Sequence, residues 1–126
     1  MAVHNDLGPG HREEAYQRAL TLKFQEIGLS FAEEIPIEGL NENGARVQLY
    51  ILDFRVEPGI IVETKAHSNN LTNDELAQVI DYFAGSDCNV AVLVNFGRRR
   101  LEWKRMFPPK KILEHRRKKW GKQVNG

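Results

Sequence analysis

The stretch Leu49 to Lys65, LYILDFRVEPGIIVETK, limits what this chain can fold into more than any other. Apolar and β-branched residues run up to Val56, Glu57-Pro58-Gly59 interrupts them, and Ile60-Ile61-Val62 resumes. That is the pattern of two strands joined by a tight loop. A three-residue loop ending in Gly is a common hairpin solution, because Gly accepts the left-handed conformation there. The spacing predicts Val56 opposite Ile60, and so Asp53 opposite Glu63. Side chains alternate along a strand, which puts Glu63 and Lys65 on one face. Two carboxylates and one ammonium should therefore converge on one side of an otherwise apolar hairpin.

Charge in such a place is costly unless it is paired or binds metal. One reading is an internal salt bridge, Lys65 with Asp53 or Glu63. The other is a hydrolytic metal site. Asp and Glu are hard oxygen ligands suited to Mg²⁺, which keeps several waters and is typically held by one or two carboxylates plus substrate phosphate. Lys65 can position or deprotonate the attacking water and offset charge developing on phosphorus.

At these residues the chain resembles a known superfamily. Asp53 with Glu63-Thr64-Lys65 resembles the PD-(D/E)xK nuclease signature, with Leu52 where the Pro usually stands. Gly10-His11-Arg12-Glu13-Glu14-Ala15-Tyr16 spells G-x-x-E-x-x-Y, and Gln78 to Tyr82 supplies a Q-x-x-x-Y element. Together these are similar to the GxxExxY family of small bacterial and archaeal proteins, which is placed among the RecB-like nucleases. The resemblance runs from Leu7 to Phe96 and leaves out the basic C-terminal end. It implies that Asp53, Glu63 and the Thr64 carbonyl bind Mg²⁺ or Mn²⁺ and that Lys65 assists the attacking water. Glu13 would support the metal shell. Gln78 and Tyr82 would contact DNA phosphate or the catalytic lysine.

The rest of the chain reads consistently with that core. Tyr16, Leu20, Phe24 and Ile27 recur at helical spacing after a start near Gly10 or His11, and Gly28 is a good residue to end the helix. Glu13 lies three residues before Tyr16, on the same inward stripe. Leu29 to Ile37 reads as a strand, with Pro36 at its end or on a sheet edge. Residues 39–44 read as a turn. After the hairpin, Thr72 and Glu75 match a capping box that opens a second helix, with Leu76, Val79, Ile80 and Phe83 as its buried face. Glu75, Gln78 and Tyr82 form a second stripe beside it. As structure alone, Gln78 and Tyr82 are an ordinary surface pair one helical turn apart. Asn89 to Phe96, rich in Val, reads as a buried central strand. The order is helix, three strands, helix, strand. That is an α/β, restriction-endonuclease-like core (αβββαβ), with a mixed central sheet flanked by helices.

Composition adds the bounds. The 126 residues form one domain on size, with no apolar run long enough to span a membrane. The N-terminus lacks an apolar signal core, so the expected location is cytoplasmic. Cys88 stands alone, which excludes an intrachain disulfide, a four-Cys zinc site and a four-Cys iron–sulfur cluster. The net charge of +1 hides a split. Through Gly97 there are six Lys and Arg against fifteen Asp and Glu; from Arg98 onward there are twelve against two. Such asymmetry points to a polyanion partner for the basic part. Arg98, Arg99 and Arg100 are therefore candidate nucleic-acid contacts, and Trp103, Phe107 and Trp120 can stack on exposed bases. A packed strand or helix followed by a solvated tail is the other reading of this end. The natural division is a nuclease-like domain over residues 1–107 and a basic tail over 108–126.

The expectation is a metal-dependent nuclease acting on DNA in preference to RNA. A homodimer stays open. So do two alternatives: a non-catalytic nucleic-acid-binding module on a nuclease fold, and a protein-interaction subunit whose basic end docks on an acidic partner.

Overall fold

The computed structural model describes Val3 and residues 12–40 and 46–125. Gly10 and His11 of the first motif lie outside the described residues, as do the first nine residues apart from Val3 and the core of the turn expected at 39–44. The elements are α1 (Glu13–Glu26), β1 (Phe31–Leu40), β2 (Arg46–Val56), β3 (Ile60–Lys65), α2 (Asn73–Ala84), β4 (Val90–Asn95), β5 (Glu102–Met106) and α3 (Lys110–Asn125). The order helix, three strands, helix, strand is present, followed by a fifth strand and a third helix. None of the described helices is long and apolar enough to cross a membrane.

The five strands form one sheet in the order β1-β2-β3-β4-β5. Only β3 and β4 are parallel, so α2 is the crossover between them. The other neighbouring pairs are antiparallel. Strands covered on both faces should be apolar almost throughout. Ile61, Val62, Glu63 and Thr64 in β3 are all buried, as are Leu93, Val94 and Asn95 in β4. The buried Glu63, Thr64 and Asn95 interrupt that rule near one end of the two strands.

One helix covers each face. Tyr16, Leu20 and Phe24 repeat every four residues along α1 and pack with Phe54, Val56, Val62, Val94 and Phe96. The Tyr16 ring stacks on Phe96 with centroids 4.6 Å apart, and Phe24 meets Phe54 edge-on at 5.4 Å. On the opposite face α2 packs Val79, Tyr82 and Phe83 against Ile37, Leu52, Ile61 and Leu93. The Thr72–Glu75 capping box is formed in both directions. Ile112 of α3 also packs on this side.

Three local readings change. The first strand begins at Phe31 and continues to Leu40, through Pro36, which pairs with Ile51. Pro is tolerated there because β1 is the sheet edge and its missing N–H leaves no neighbour unpaired. Gly59 closes the hairpin loop by donating to the Val56 carbonyl at 3.1 Å, but at φ +157° rather than in the left-handed helical region. The basic end is not uniformly solvated. Lys110–Asn125 is helical, and Arg116 is buried, donating from Nη1 to Cys88 O at 3.1 Å and from Nη2 to Asn89 Oδ1 at 3.2 Å.

Two glycines separate conformation from space. Gly28 follows α1 at φ +76°, and a Cβ there would meet nothing within 4 Å. A Cβ on Gly97 would lie 2.4 Å from His67 N and 2.5 Å from His67 O. Both are backbone atoms, which cannot swing away as a side-chain tip could. In chemical denaturation, Gly28→Ala should cost about 1 kcal/mol of left-handed strain. Gly97→Ala should cost about 2 kcal/mol or more by forcing the two segments apart.

Candidate active site

The β2–β3 ladder runs Val56↔Ile60, Arg55↔Ile61, Phe54↔Val62 and then stops. The next position would pair Asp53 with Glu63. There the side chains replace the ladder. Asp53 N donates to Glu63 Oε1 at 2.6 Å. Asp53 Oδ2 accepts from Thr64 N at 2.8 Å and from Thr64 Oγ1 at 2.9 Å. Each acid thus takes a main-chain N–H of the facing strand, so neither of these two donors is left unpaired.

The reason the ladder fails here is visible in β2 itself. Leu52 packs in the core under α2, whereas Phe54, two residues on, packs under α1. A regular strand would place them on one face. The pleat is therefore broken at Asp53. Across from it, Glu34 adopts φ +50°, and the β1–β2 ladder, without changing register, lacks the pair between Glu33↔Phe54 and Ile35↔Leu52. A positive φ at a non-glycine residue is strained and is found disproportionately at functional sites.

The electrostatics follow from this burial. Glu63 is 4% exposed. Burial, and then the Asp53 charge beside it, push its pKa up to about 8, against the lowering effects of the Asp53 N–H and of Lys65. Burial likewise raises Glu13, with Asp53 adding to the rise and Lys65 opposing it. Glu13 thus lies within the field of the hairpin's acid and lysine, although it sits on α1. Lys65 is half-buried and makes no ion pair among the described residues, so the internal salt bridge, one of the two readings of these charges, is not formed there.

Gln17, one helical turn after Glu13, ties α1 to the hairpin. Its Nε2 donates to Thr64 Oγ1 at 3.2 Å and reaches Glu13 Oε1 at 3.4 Å. The spacing from Glu13 was available in the sequence; the partner on β3 was not. A polar groove of about 370 Å³ opens beside Asp53, with Gln17, Arg18, Thr21, Glu33 and Glu34 among its lining residues.

Beyond Lys65 lies a second network that the sequence did not disclose. Asn95 is fully buried. Its Oδ1 accepts from His67 N at 3.2 Å and Gly97 N at 3.1 Å; its Nδ2 donates to Asn69 O at 2.9 Å and Glu102 Oε1 at 3.3 Å. His67 faces two acceptors, the Asn69 carbonyl 2.9 Å from Nδ1 and Glu75 Oε2 3.0 Å from Nε2. Only the doubly protonated ring donates to both. The Glu75 bond, ahead of the Glu75 charge, raises the His67 pKa. No spacing rule in the sequence links His67 to Glu75 and Asn69.

The remaining candidates are dispersed. Tyr82 is buried, its ring edge-on to Tyr50 at 5.3 Å, so its face is not open to a base. Burial raises its pKa, with the charges of Glu63 and Asp53 adding, which places it behind the acids. Gln78 lines a surface groove with Tyr50, Asp74, Glu75 and Asp81. Arg98 donates to Asn70 Oδ1 and lies 3.8 Å from Glu102, while Arg99 and Arg100 are exposed in the β4–β5 loop.

No group of three His, Cys, Asp or Glu side chains among the described residues is arranged to hold a metal ion alone. The donor set still suits a hard divalent cation. No donor among the described residues reaches Asp53 Oδ1 or Glu63 Oε2, and two acids held this close repel unless a positive charge sits between them. The Thr64 carbonyl, water and a substrate phosphate could complete such a shell.

A family model described as the PD-(D/E)XK nuclease superfamily matches residues 1–106, which contain every residue of the hairpin site. Comparison with the curated proteins returns no match.

Glu63 gains protons on folding between its ordinary carboxylate value and about 8. Stability from this group is therefore fully present below that ordinary value and is lost as pH rises through about 8. In metal-free buffer, Glu63→Gln should remove most of this pH dependence between pH 5 and 9, making the variant more stable than wild type at the alkaline end by about 2 kcal/mol. Thermal melts across that range check it. Equal slopes for the two proteins would mean that Glu63 is not buried as an acid.

Proposed function

The chain belongs to the PD-(D/E)XK nuclease superfamily, and from that premise we propose that it is a divalent-metal-dependent deoxyribonuclease hydrolysing phosphodiester bonds. The observation that carries the reading is the reciprocal Asp53–Glu63–Thr64 bonding, which holds two acids together while leaving one oxygen of each without a donor among the described residues. Asp53 Oδ1 and Glu63 Oε2, with the Thr64 carbonyl, would hold Mg²⁺ or Mn²⁺. When bound, such an ion polarises the scissile phosphate and lowers the pKa of a coordinated water.

The chain's own groups supply the rest. Lys65, unpaired among the described residues, is the one cation of the hairpin face. It is suited to orient the attacking water and to offset the charge that builds on the phosphoryl oxygens. Glu13 supports the site from α1 and is held by Gln17, which also fixes Thr64 and so the backbone between Glu63 and Lys65. His67, fixed by Asn69 and Glu75 and with its pKa raised by the Glu75 bond, would when protonated add a positive charge two residues beyond Lys65. Tyr82 acts by packing behind the acids, Gln78 by substrate contact from the α2 surface, and Arg98, Arg99 and Arg100 by contacts to the DNA backbone. The working location is the cytoplasm.

Single- and double-stranded DNA incubated with Mg²⁺, Mn²⁺ or EDTA tests the reading. Cleavage should require metal and should fall at least a hundredfold in Lys65→Ala and in Asp53→Asn. Gln17→Leu should lower the rate less, by about tenfold, because it loosens two positioned groups without removing either. Wild type that binds DNA and cleaves none of these substrates with either metal would favour the non-catalytic binding module.

A further inference from the structure

At the edge strand β5 the α1 side of the sheet is left open, and the hairpin site does not use it. α1 packs over the central strands, and no residue of β5 is buried in the cluster beneath it. Trp103 pairs with Val94 and Arg105 with Val92, so both project on the α1 face, where Val94 and Val92 pack. Trp103 is 58% exposed and Phe107, just past the strand, 60% exposed. The Arg105 guanidinium lies over the Phe107 ring, 5.8 Å from its centroid. Between this strip and α1 runs an apolar groove of about 340 Å³, lined by Phe24, Val62, Val92, Val94, Leu101 and Trp103.

Two large aromatics left open on either side of an arginine are not what an edge strand needs to stay soluble; a lysine or proline would protect the edge at less cost. Their surroundings indicate what covers them. Between Arg98 and Lys111 there are seven Lys and Arg and a single acid, Glu102. That acid is already engaged, accepting from Leu71 N at 3.0 Å and from Asn95. The strip is therefore aromatic and cationic at once. An apolar protein partner would have to desolvate those cations, whereas a polyanion with flat aromatic units satisfies both features. Duplex DNA hides its base faces in the stack; a single strand does not. The strip also begins where the Arg98–Arg100 loop leaves β4, at the end of the sheet where β3 ends in Lys65.

We propose that Trp103, Arg105 and Phe107 on the open face of β5 form a stacking platform for single-stranded DNA, which delivers one strand to the acid–lysine hairpin. The substrate class, single-stranded rather than duplex, rests on the nuclease reading above; the platform itself does not. Bases stack on Trp103 and Phe107, one of them entering the apolar groove beside Trp103. Arg105, stacked on Phe107, and the Arg98–Arg100 loop take the phosphates.

The test is binding of a fluorescein-labelled short oligothymidylate, followed by anisotropy in EDTA so that no hydrolysis intervenes. Trp103→Ala and Phe107→Ala should each weaken Kd by about tenfold, as expected for loss of one stacked base. Leu22→Ala, which removes an exposed apolar side chain of α1, should leave Kd unchanged. A duplex of equal length should bind more weakly than the single strand at the same salt. In a Trp120→Phe background, the oligonucleotide should quench the fluorescence of Trp103. Circular dichroism checks that each variant is folded. Unchanged Kd in both aromatic variants overturns the proposal. So does a concentration-dependent dimer that Trp103→Ala abolishes while oligonucleotide affinity stays the same, since the face would then bind a second copy. Tight binding without cleavage in metal counts against the hydrolytic reading and leaves the platform standing. Cleavage of single strands at wild-type efficiency by Trp103→Ala counts against the platform alone.

Discussion

The site depends on one exchange of hydrogen bonds. Where β2 and β3 should continue their ladder, Asp53 N turns to the Glu63 carboxylate and Thr64 N to the Asp53 carboxylate. A backbone ladder at this point would be less costly and would place no charge in the core. The exchange lets the chain place a buried and a half-buried acid on adjacent strands while both Asp53 N and Thr64 N keep a partner. It also fixes both carboxylates through short bonds to main chain, which is more rigid than a side-chain partner could be. Such fixed placement of charged groups is what a hydrolytic site requires, because reorganising them during reaction would raise the barrier.

The balance of charge around that exchange is uneven, with more acid than base. Glu63, Asp53 and Glu13 interact with one another, while Lys65 opposes the rise at both glutamates and His67 at Glu13. Glu63 is driven toward its neutral form by burial and by Asp53, so the protein alone resolves the repulsion with a proton. A divalent ion resolves it differently, by favouring both acids in charged form. The expected alternative, an ion pair from Lys65 to one of the acids, would have left the lysine engaged and the acids satisfied. The observed bonding does the reverse. Asn95 then anchors the segment that carries His67 and the start of β5 from a single buried amide, so the two ends of the parallel β3–β4 pair move as one piece.

How much of this was legible in the chain varied with the range of the interaction. The hairpin, its register at Val56↔Ile60, the Thr72 capping box and the Gly28 helix end are all local, and each carries a composition signal within a few residues. Pro36 was legible as an edge marker, but it did not end its strand, because the edge position removes the hydrogen-bonding penalty over the whole strand length. The second stripe of α2 was legible as a stripe but not in its surroundings. Glu75 turns back to His67 and Thr72, and Tyr82 goes into the core, because α2 rests on the sheet across a wider face than Leu76, Val79, Ile80 and Phe83 alone define. Nor did the basic runs disclose which of their members are structural. Arg116 and Arg117 are neighbours in the same run, yet one is buried on two carbonyl oxygens and the other is exposed, a difference set by the helical turn and by where α3 lands.

What the sequence by itself determined is therefore the short-range set: the hairpin with its acids and lysine, the alternation of helix and strand, and the excess of cations after Gly97. These follow from turn chemistry and side-chain periodicity, which act over fewer than ten residues. Only the tertiary structure decided that the pleat breaks at Asp53, that Gln17 reaches Thr64, that Asn95 joins two loops, and that Trp103 and Phe107 remain on an open face. Each of these depends on which strand lies beside which and on how far a covering helix extends. Both are settled when the β3–β4 parallel pair closes across α2, a contact between segments some thirty residues apart that no local pattern encodes.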